Sequence, residues 1–131
     1  MIFLCDYYNQ ASKDLAYSLQ AAGYDATTVV INPDGFLPQG ALSPFTYYVE
    51  AAEETGKPRF FNQVPVPAFW EISGNNQMAR VSNLTEERAR ITYPEGSKAR
   101  IVKSVEWLDK SGKIRQVDHY NKYGFCFAKT T

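Results

Sequence analysis

The opening of the chain has the apolar spacing of a strand, a helix and a second strand. The run Ile2–Cys5 predicts the first strand, and Asn9 and Ser12 are candidate caps for a following helix. Gly23 lies where a helix commonly ends, and the β-branched run Thr27–Ile31 predicts the second strand. The pattern therefore predicts a β-α-β unit. The apolar residues at helical spacing are Ala11, Leu15, Leu19 and Ala22.

After Pro58 the pattern changes to the two-residue period of β-strands. Arg88–Tyr93 alternates polar and apolar residues, so that its apolar side chains share one face. The connections Asp109–Gly112 and Asn121–Gly124 each begin with an Asp or Asn and end with a glycine suited to the left-handed position of a tight hairpin. We therefore expect consecutive hairpins. The other predicted strands lie within Phe69–Ser73, Gln77–Ser82, Arg100–Trp107, Lys113–Tyr120 and Phe125–Lys129.

These elements predict an α+β fold, with a predominantly antiparallel β-meander sheet of six or seven strands after the β-α-β unit. In Arg100–Trp107, the residues Ile101, Val105 and Trp107 are expected to share one face. An open sheet of this size must cover at least one face, and the sequence offers one helix to do it. We therefore expect the sheet to leave apolar surface for a partner.

The 131 residues suit a single domain or an excised fragment of a longer protein. We divide the chain into the β-α-β unit at 1–32, a long surface connection at 33–57, and the antiparallel sheet region at 58–131. Within the connection, Phe45–Val49 is a candidate short strand.

Composition excludes several classes of partner. Lysine plus arginine equals aspartate plus glutamate at 14 each, so no overall positive charge attracts nucleic acid. No apolar run reaches the ~20 residues that span a bilayer, and Asp6 interrupts the opening run too early for a secretion signal. We expect a cytoplasmic protein in which Cys5 and Cys126 are buried, reduced thiols.

The sequence contains no recognisable catalytic, cofactor-binding or metal-binding motif. Asp6–Gln10 follows the first strand but lacks the glycines that bring a phosphate close to the backbone, and the two cysteines are too far apart to match a zinc motif. The single histidine, His119, has no nucleophile motif near it. We therefore predict no catalytic residue, no cofactor and no metal.

The stretch Pro65–Trp70 combines two prolines with two aromatic residues. Prolines within a strand belong at a sheet edge, which favours a protected edge strand with its aromatics in the core. The other interpretation is an aromatic contact surface. The interface candidates are the aromatics nearest to this edge: Phe60, Phe61, Phe69 and Trp70.

Four longer phrases together resemble one family. They are DYYNQ at Asp6–Gln10, GFLP at Gly35–Pro38, FNQVPVPAFWEI at Phe61–Ile72 and WLDKSGKIRQVDHYNKYG at Trp107–Gly124. The chain resembles the N-terminal region of the stabilising subunit of the O-GlcNAc transferase that glycosylates serine-rich-repeat adhesins in accessory Sec systems. The resemblance covers nearly the whole chain.

The resemblance implies a lobe of the GT-B type joined to an added β-sheet domain, which residues 58–131 are expected to form. It also implies a subunit without transferase activity that docks a catalytic glycosyltransferase homologue. The serine/threonine-rich acceptor polypeptide is a second expected partner, and the complex is expected at the inner face of the cell membrane.

A different function also fits the residues. In a carbohydrate- or small-molecule-binding β-domain, the aromatics would stack on sugar rings and amide side chains would supply hydrogen bonds. The amide candidates are Asn62, Gln63, Asn75 and Asn76.

Overall fold

The computed structural model of the protein describes residues 1–47 and 56–131. Within these ranges a small parallel sheet and a larger antiparallel sheet are separate in topology. The elements in chain order are β1 (Ile2–Cys5), α1 (Gln10–Ala21), β2 (Thr27–Val30), α2 (Pro44–Tyr47), a 3₁₀ turn (Phe61–Gln63), β3 (Glu71–Gly74), β4 (Met78–Asn83), β5 (Glu86–Thr92), β6 (Ser104–Leu108), β7 (Ile114–Tyr120) and β8 (Cys126–Thr130).

The predicted β-α-β unit is confirmed. β1 and β2 pair in parallel, and the Asn9 side chain caps α1 by accepting a hydrogen bond from the Ser12 backbone N–H at 3.0 Å. After the C-cap residue Ala22, Gly23 takes a φ of +91°, the left-handed conformation that ends many helices. The helix has no buried residue among its side chains.

The antiparallel sheet is a six-stranded meander in the order β3-β4-β5-β6-β7-β8. The predicted α+β fold dominated by a β-meander is therefore confirmed. Two hairpin turns have the predicted chemistry: Asp109 Oδ1 accepts from Ser111 N at 2.8 Å and from Lys113 N at 3.0 Å, and Asn121 Oδ1 accepts from Phe125 N at 3.0 Å.

One face of the sheet forms the core. The predicted apolar face of β5 is buried, since Ala89 and Ile91 are inaccessible and Tyr93 follows them. An irregular segment, residues 59–70, packs over this face instead of the helix. The segment that leads into β3 therefore covers the sheet. The sequence had instead indicated the helix as the available cover. The buried core residues are Val64, Ala79, Val81, Ala89, Ile91, Tyr93, Val102, Val105 and Tyr120.

Two local predictions are wrong. The candidate strand Phe45–Val49 is helical where it is described, because α2 covers Pro44–Tyr47; residues 48 and 49 lie outside the described ranges. β6 begins only at Ser104, since Arg100 has a φ of +56° that breaks the extended backbone. As a result Val102 is fully buried, although a continuous strand would place it on the face opposite to Ile101, Val105 and Trp107.

The two units meet through the turn between β7 and β8. Gly35 and Asn121 form an isolated parallel bridge, and Lys122 N donates to Gly35 O at 3.0 Å. The Lys122 ammonium also donates to Leu37 O at 3.2 Å. Leu37 and Ser43 are buried, so the described part of the predicted connection at 33–57 does not lie simply on the surface. The division at 1–32, 33–57 and 58–131 stays a prediction.

Candidate interaction surface

The segment at residues 59–70 is held against the sheet by polar contacts at its start. Arg59 Nε donates to Gly124 O at 3.1 Å, and its guanidinium lies 5.7 Å from the centre of the Tyr120 ring. Gln63 Oε1 accepts from Phe60 N at 3.0 Å, which closes the 3₁₀ turn. Val64 then enters the core with 4% of its surface exposed. These contacts fix the path of the chain towards β3.

The four predicted interface aromatics do not form one patch. Phe61 and Trp70 pack against the core, and the Arg88 guanidinium lies 5.7 Å from the Trp70 ring centre. Phe60 touches Phe61, with ring centres 5.0 Å apart, and is 38% exposed. Phe69 is 97% exposed. Residues 65–70 form no strand, so the predicted proline-marked edge strand is wrong, and β3 is the edge strand on this side of the sheet.

The uncovered face of the sheet is polar. Glu87 forms ion pairs with Arg90 at 3.0 Å and Arg80 at 3.8 Å, and the hydroxyls of Thr92 and Ser104 are hydrogen-bonded to each other across β5 and β6. This face therefore does not supply the apolar surface that the sequence predicts for a partner. The physical reason is the alternation of polar and apolar residues along the strands. The apolar side chains of the central strands point to the opposite face, where they lie in the core with residues of the segment 59–70.

The two most exposed apolar side chains of the sheet region, among the residues described, lie at one end of the sheet. Phe69 precedes β3 and Leu84 lies in the turn between β4 and β5, where it is 92% exposed. Ile114, at the start of β7, is 50% exposed at the same end. We call this the distal end, because the turn that contacts Gly35 lies at the opposite end of the strands. Leu84 was not predicted as an interface residue. The signal in the sequence was a leucine at the tip of a hairpin, a position where asparagine or glycine is favoured.

His119 lies between Ser104 and Ala128 on the neighbouring strands and contacts the Thr130 hydroxyl at 2.8 Å. Desolvation lowers the pKa of His119 and the Lys103 charge lowers it further, against an opposing effect of Asp118. The carboxylate of Asp118 accepts from Trp107 Nε1 at 2.9 Å and from Gln116 Nε2 at 2.7 Å. These side chains are hydrogen-bonded to one another, and their bonds link β7 to its neighbours β6 and β8.

The two thiols are more accessible than predicted. Cys5 is half-buried and Cys126 is exposed on the edge strand β8, and neither forms a disulfide. The expectation of two buried thiols is therefore wrong. Cys126 begins β8, which is the last strand in the order of the sheet.

An open cleft of about 320 Å³ lies where the β-α-β unit meets the sheet. Tyr8 and Lys13 line it from the first unit, with the ammonium 5.2 Å from the ring centre. Lys103 and Glu95 line it from the sheet. Charges of both signs face this cleft, so it has no cationic character that would favour a phosphate.

Across residues 1–47 and 56–131, no group of three or more histidine, cysteine, aspartate or glutamate side chains is placed to hold a metal ion. In the same ranges, no helix has the length and apolar character needed to cross a membrane.

The two structural units correspond to two known sequence families. Residues 2–48 match the model described as the GtfB N-terminal domain, and residues 70–131 match the GtfB middle domain. The chain belongs to the GtfB family. The first match contains the β-α-β unit and the second contains the six-stranded sheet.

Curated relatives align with nearly the whole of this chain. The chain is 56% identical over 130 residues to the Streptococcus gordonii protein named UDP-N-acetylglucosamine–peptide N-acetylglucosaminyltransferase stabilizing protein GtfB. It is 57% identical over 131 residues to the protein of that name from Streptococcus pneumoniae serotype 4. These alignments cover 99% and 100% of this chain and 29% of each relative. The chain thus spans less than a third of the length of these GtfB proteins.

Solved structures show the same fold. One chain of a GtfA/B complex bound to UDP and GlcNAc matches with a TM-score of 0.82 and 56% identity, over 100% of this chain and 29% of that one. A chain from the accessory secretory protein 1, 2 and 3 structure of Streptococcus pneumoniae matches with a TM-score of 0.58 over 95% of this chain and 31% of that one. At 9% identity, the second match shows a shared fold only.

Proposed function

We propose that this GtfB chain is part of a non-catalytic stabilising subunit that docks the catalytic subunit of a peptide N-acetylglucosaminyltransferase. The observation that carries the proposal is the 56% identity, through both structural units, to a protein named as the stabilising subunit of such an enzyme. The similar chain of known structure occurs in a GtfA/B complex, which supports GtfA as the class of partner.

The chemistry of the described residues supports docking over catalysis. A sugar-nucleotide transferase needs a site for the diphosphate and a group that stabilises the transition state. The cleft beside Tyr8 has mixed charge, and Asp118 and His119 are engaged with neighbouring strands. The subunit therefore acts by binding, and the serine/threonine-rich acceptor polypeptide is its proposed second partner.

Among the four predicted interface residues, Phe69 supports the docking proposal best. A phenylalanine that is 97% exposed contributes little to the fold and is available as an anchor for a partner. Phe60 is a partly exposed candidate, whereas Phe61 and Trp70 contribute by holding the segment that carries Phe69 on the core. All four remain proposed interface residues.

The proposed place of action is the cytoplasm, with association at the inner face of the cell membrane through the complex. The carbohydrate-binding alternative has weaker support, because three of its four amide side chains serve the fold. Asn75 Oδ1 accepts from Met78 N at 3.0 Å, Asn76 Oδ1 accepts from Arg100 Nε at 3.0 Å, and Gln63 closes the 3₁₀ turn.

Transfer of labelled N-acetylglucosamine from UDP-GlcNAc to a serine-rich peptide tests the proposed function. We expect no transfer by the protein alone, and a longer-lived activity of the GtfA subunit at elevated temperature when the protein is added. An inert globular protein at equal concentration is the control. Transfer by the protein alone, or a GtfA lifetime equal to that with the inert protein, would contradict the proposal.

A further inference from the structure

The distal end of the sheet has two backbone positions that do not suit their side chains. Phe69 has a φ of +70° and Leu84 a φ of +54°, a region that bulky L-residues rarely occupy. Glycine or asparagine would adopt these conformations with less strain. The fold therefore disfavours phenylalanine and leucine at these two positions.

Neither side chain gains burial in return. Phe69 is 97% exposed and Leu84 is 92% exposed, the highest values among the large hydrophobic residues at 1–47 and 56–131. Arg100 is the third non-glycine residue with positive φ in the described ranges, and its guanidinium bonds Asn76 within the chain. Strain that persists without an internal contact points to a function outside the chain.

The two residues flank neighbouring strands at the same end of the sheet, because Phe69 precedes β3 and Leu84 follows β4. The last pair between β3 and β4 is Glu71 with Ser82, and Phe69 and Leu84 each lie two residues beyond it. β3 and β4 are hydrogen-bonded to each other, so both residues are attached to the same end of one sheet. Backbone that is already held in the bound conformation loses little conformational freedom on binding.

The charged groups around the pair indicate the kind of surface that it meets. Glu86 and Arg88 form an ion pair at 3.0 Å beside Leu84, and the other charges at this end are also of both signs. A mixed polar rim around an apolar anchor is typical of protein interfaces, whereas binding to an anionic membrane favours positive charge alone. The cationic residues are Arg88, Lys110, Lys113 and Arg115, and the anionic residues are Glu71, Glu86 and Asp109.

We propose that Phe69 and Leu84 form a two-residue anchor that inserts into an apolar pocket of the catalytic transferase subunit. The inference rests on the proposed docking function and assigns the contact to the distal end of the sheet. It adds Leu84 to the predicted interface residues, which were all aromatic. It also places the main source of binding energy at the distal end and not on the polar face of the sheet.

Glycine substitutions separate binding from folding at these positions. Phe69→Gly and Leu84→Gly remove the side chain and relieve the strained φ, so the melting temperature of the protein should stay equal or rise. Affinity for the GtfA subunit, measured by titration calorimetry, should fall about tenfold or more for each variant. Phe69→Leu and Leu84→Met keep apolar side chains and should retain most of the affinity.

Arg100→Gly is the matched control, because it also relieves a positive φ but lies at the opposite end of the sheet. Its affinity for the GtfA subunit should equal that of the unsubstituted protein. If the unsubstituted protein binds GtfA and both distal glycine variants bind equally well, the anchor is wrong while docking stands. If the unsubstituted protein does not bind, the proposed function itself fails.

Phosphatidylglycerol vesicles distinguish a lipid surface from a protein pocket. Co-sedimentation of the protein with these vesicles should be the same for the unsubstituted protein, Phe69→Gly and Leu84→Gly. A loss of vesicle binding in the glycine variants, with affinity for GtfA unchanged, would overturn the proposal in favour of a membrane contact.

Discussion

Gly112 and Gly124 have the same backbone conformation but different surroundings. Their φ angles are +84° and +87°, each in a hairpin turn that begins with an Asp or Asn. A Cβ at Gly112 would meet no atom within 4 Å, whereas a Cβ at Gly124 would lie 2.5 Å from the Lys57 carbonyl oxygen. The pair therefore separates backbone strain from steric overlap.

We predict that Gly112→Ala lowers the free energy of unfolding by about 1 kcal/mol, from the positive φ alone. Gly124→Ala should cost about 2–3 kcal/mol, because the chain at Lys57 must also move. Urea denaturation of the two variants measures the difference. Equal losses would show that residues 57–59 do not pack against the second turn as described.

Local chemistry explains why these turns were predictable and why other residues of the surface were not. Asp109 and Gly112 specify a hairpin by themselves, so sequence is sufficient there. Phe69 and Trp70 are adjacent aromatics in the same motif, yet one is exposed and the other packs beside Arg88, a residue eighteen positions later. That difference depends on a contact between residues that are far apart in sequence. The alternation of polar and apolar residues along the chain does not indicate such a contact.

At the scale of the element, β5 and β6 show the same limit of prediction from local sequence. The face of β5 was predictable because Ala89–Thr92 pair in regular register with both neighbouring strands. The start of β6 was not, since Val102 is positioned by a hydrogen bond from its N–H to Arg59 O at 2.8 Å. The covering segment thus displaces a strand boundary that local propensity had placed at residue 100.

The strand pair β7–β8 should respond to mildly acidic pH through His119. Its pKa is lowered in the folded protein by desolvation first and by Lys103, so the unfolded chain binds a proton more readily. Stability is therefore fully present above the ordinary pKa of 6.5 and is lost as pH falls through the lowered value. We predict a falling melting temperature between about pH 7 and pH 5, above the range where most carboxylates titrate.

His119→Gln is the control for this effect, because His119 is the single histidine of the chain. The variant keeps a polar group near Thr130 but has no titrating ring. Its melting temperature should change less over the same pH interval. An identical pH dependence in the two proteins would contradict the assignment to His119.

At the scale of the molecule, the orientation of the two units depends on close backbone contact at Gly35. A Cβ there would overlap the Asn121 Cα, and Lys122 bonds the Gly35 and Leu37 carbonyls. This junction is remote from the distal end, so the sheet presents Phe69 and Leu84 away from the β-α-β unit. The arrangement allows the sheet to meet a partner while it remains attached to its own lobe.

Gly35→Ala should separate the two units without unfolding the sheet. We expect faster amide hydrogen exchange at Lys122, because its bond to the Gly35 carbonyl is lost, and little change in the central strands around Ile91. Gly40→Ala is the control, since a Cβ at Gly40 meets no atom within 4 Å although its φ of +93° is strained. Unchanged exchange at Lys122 in Gly35→Ala would show that the bridge does not hold the units together.

The central claim is that this GtfB chain acts by docking the catalytic subunit through its sheet. Sedimentation velocity of the purified protein mixed with the GtfA subunit tests it most directly. We predict a faster-sedimenting complex with the unsubstituted protein and a weaker complex with the double variant Phe69→Gly, Leu84→Gly. Two species that sediment independently at all accessible concentrations of the unsubstituted protein would contradict it.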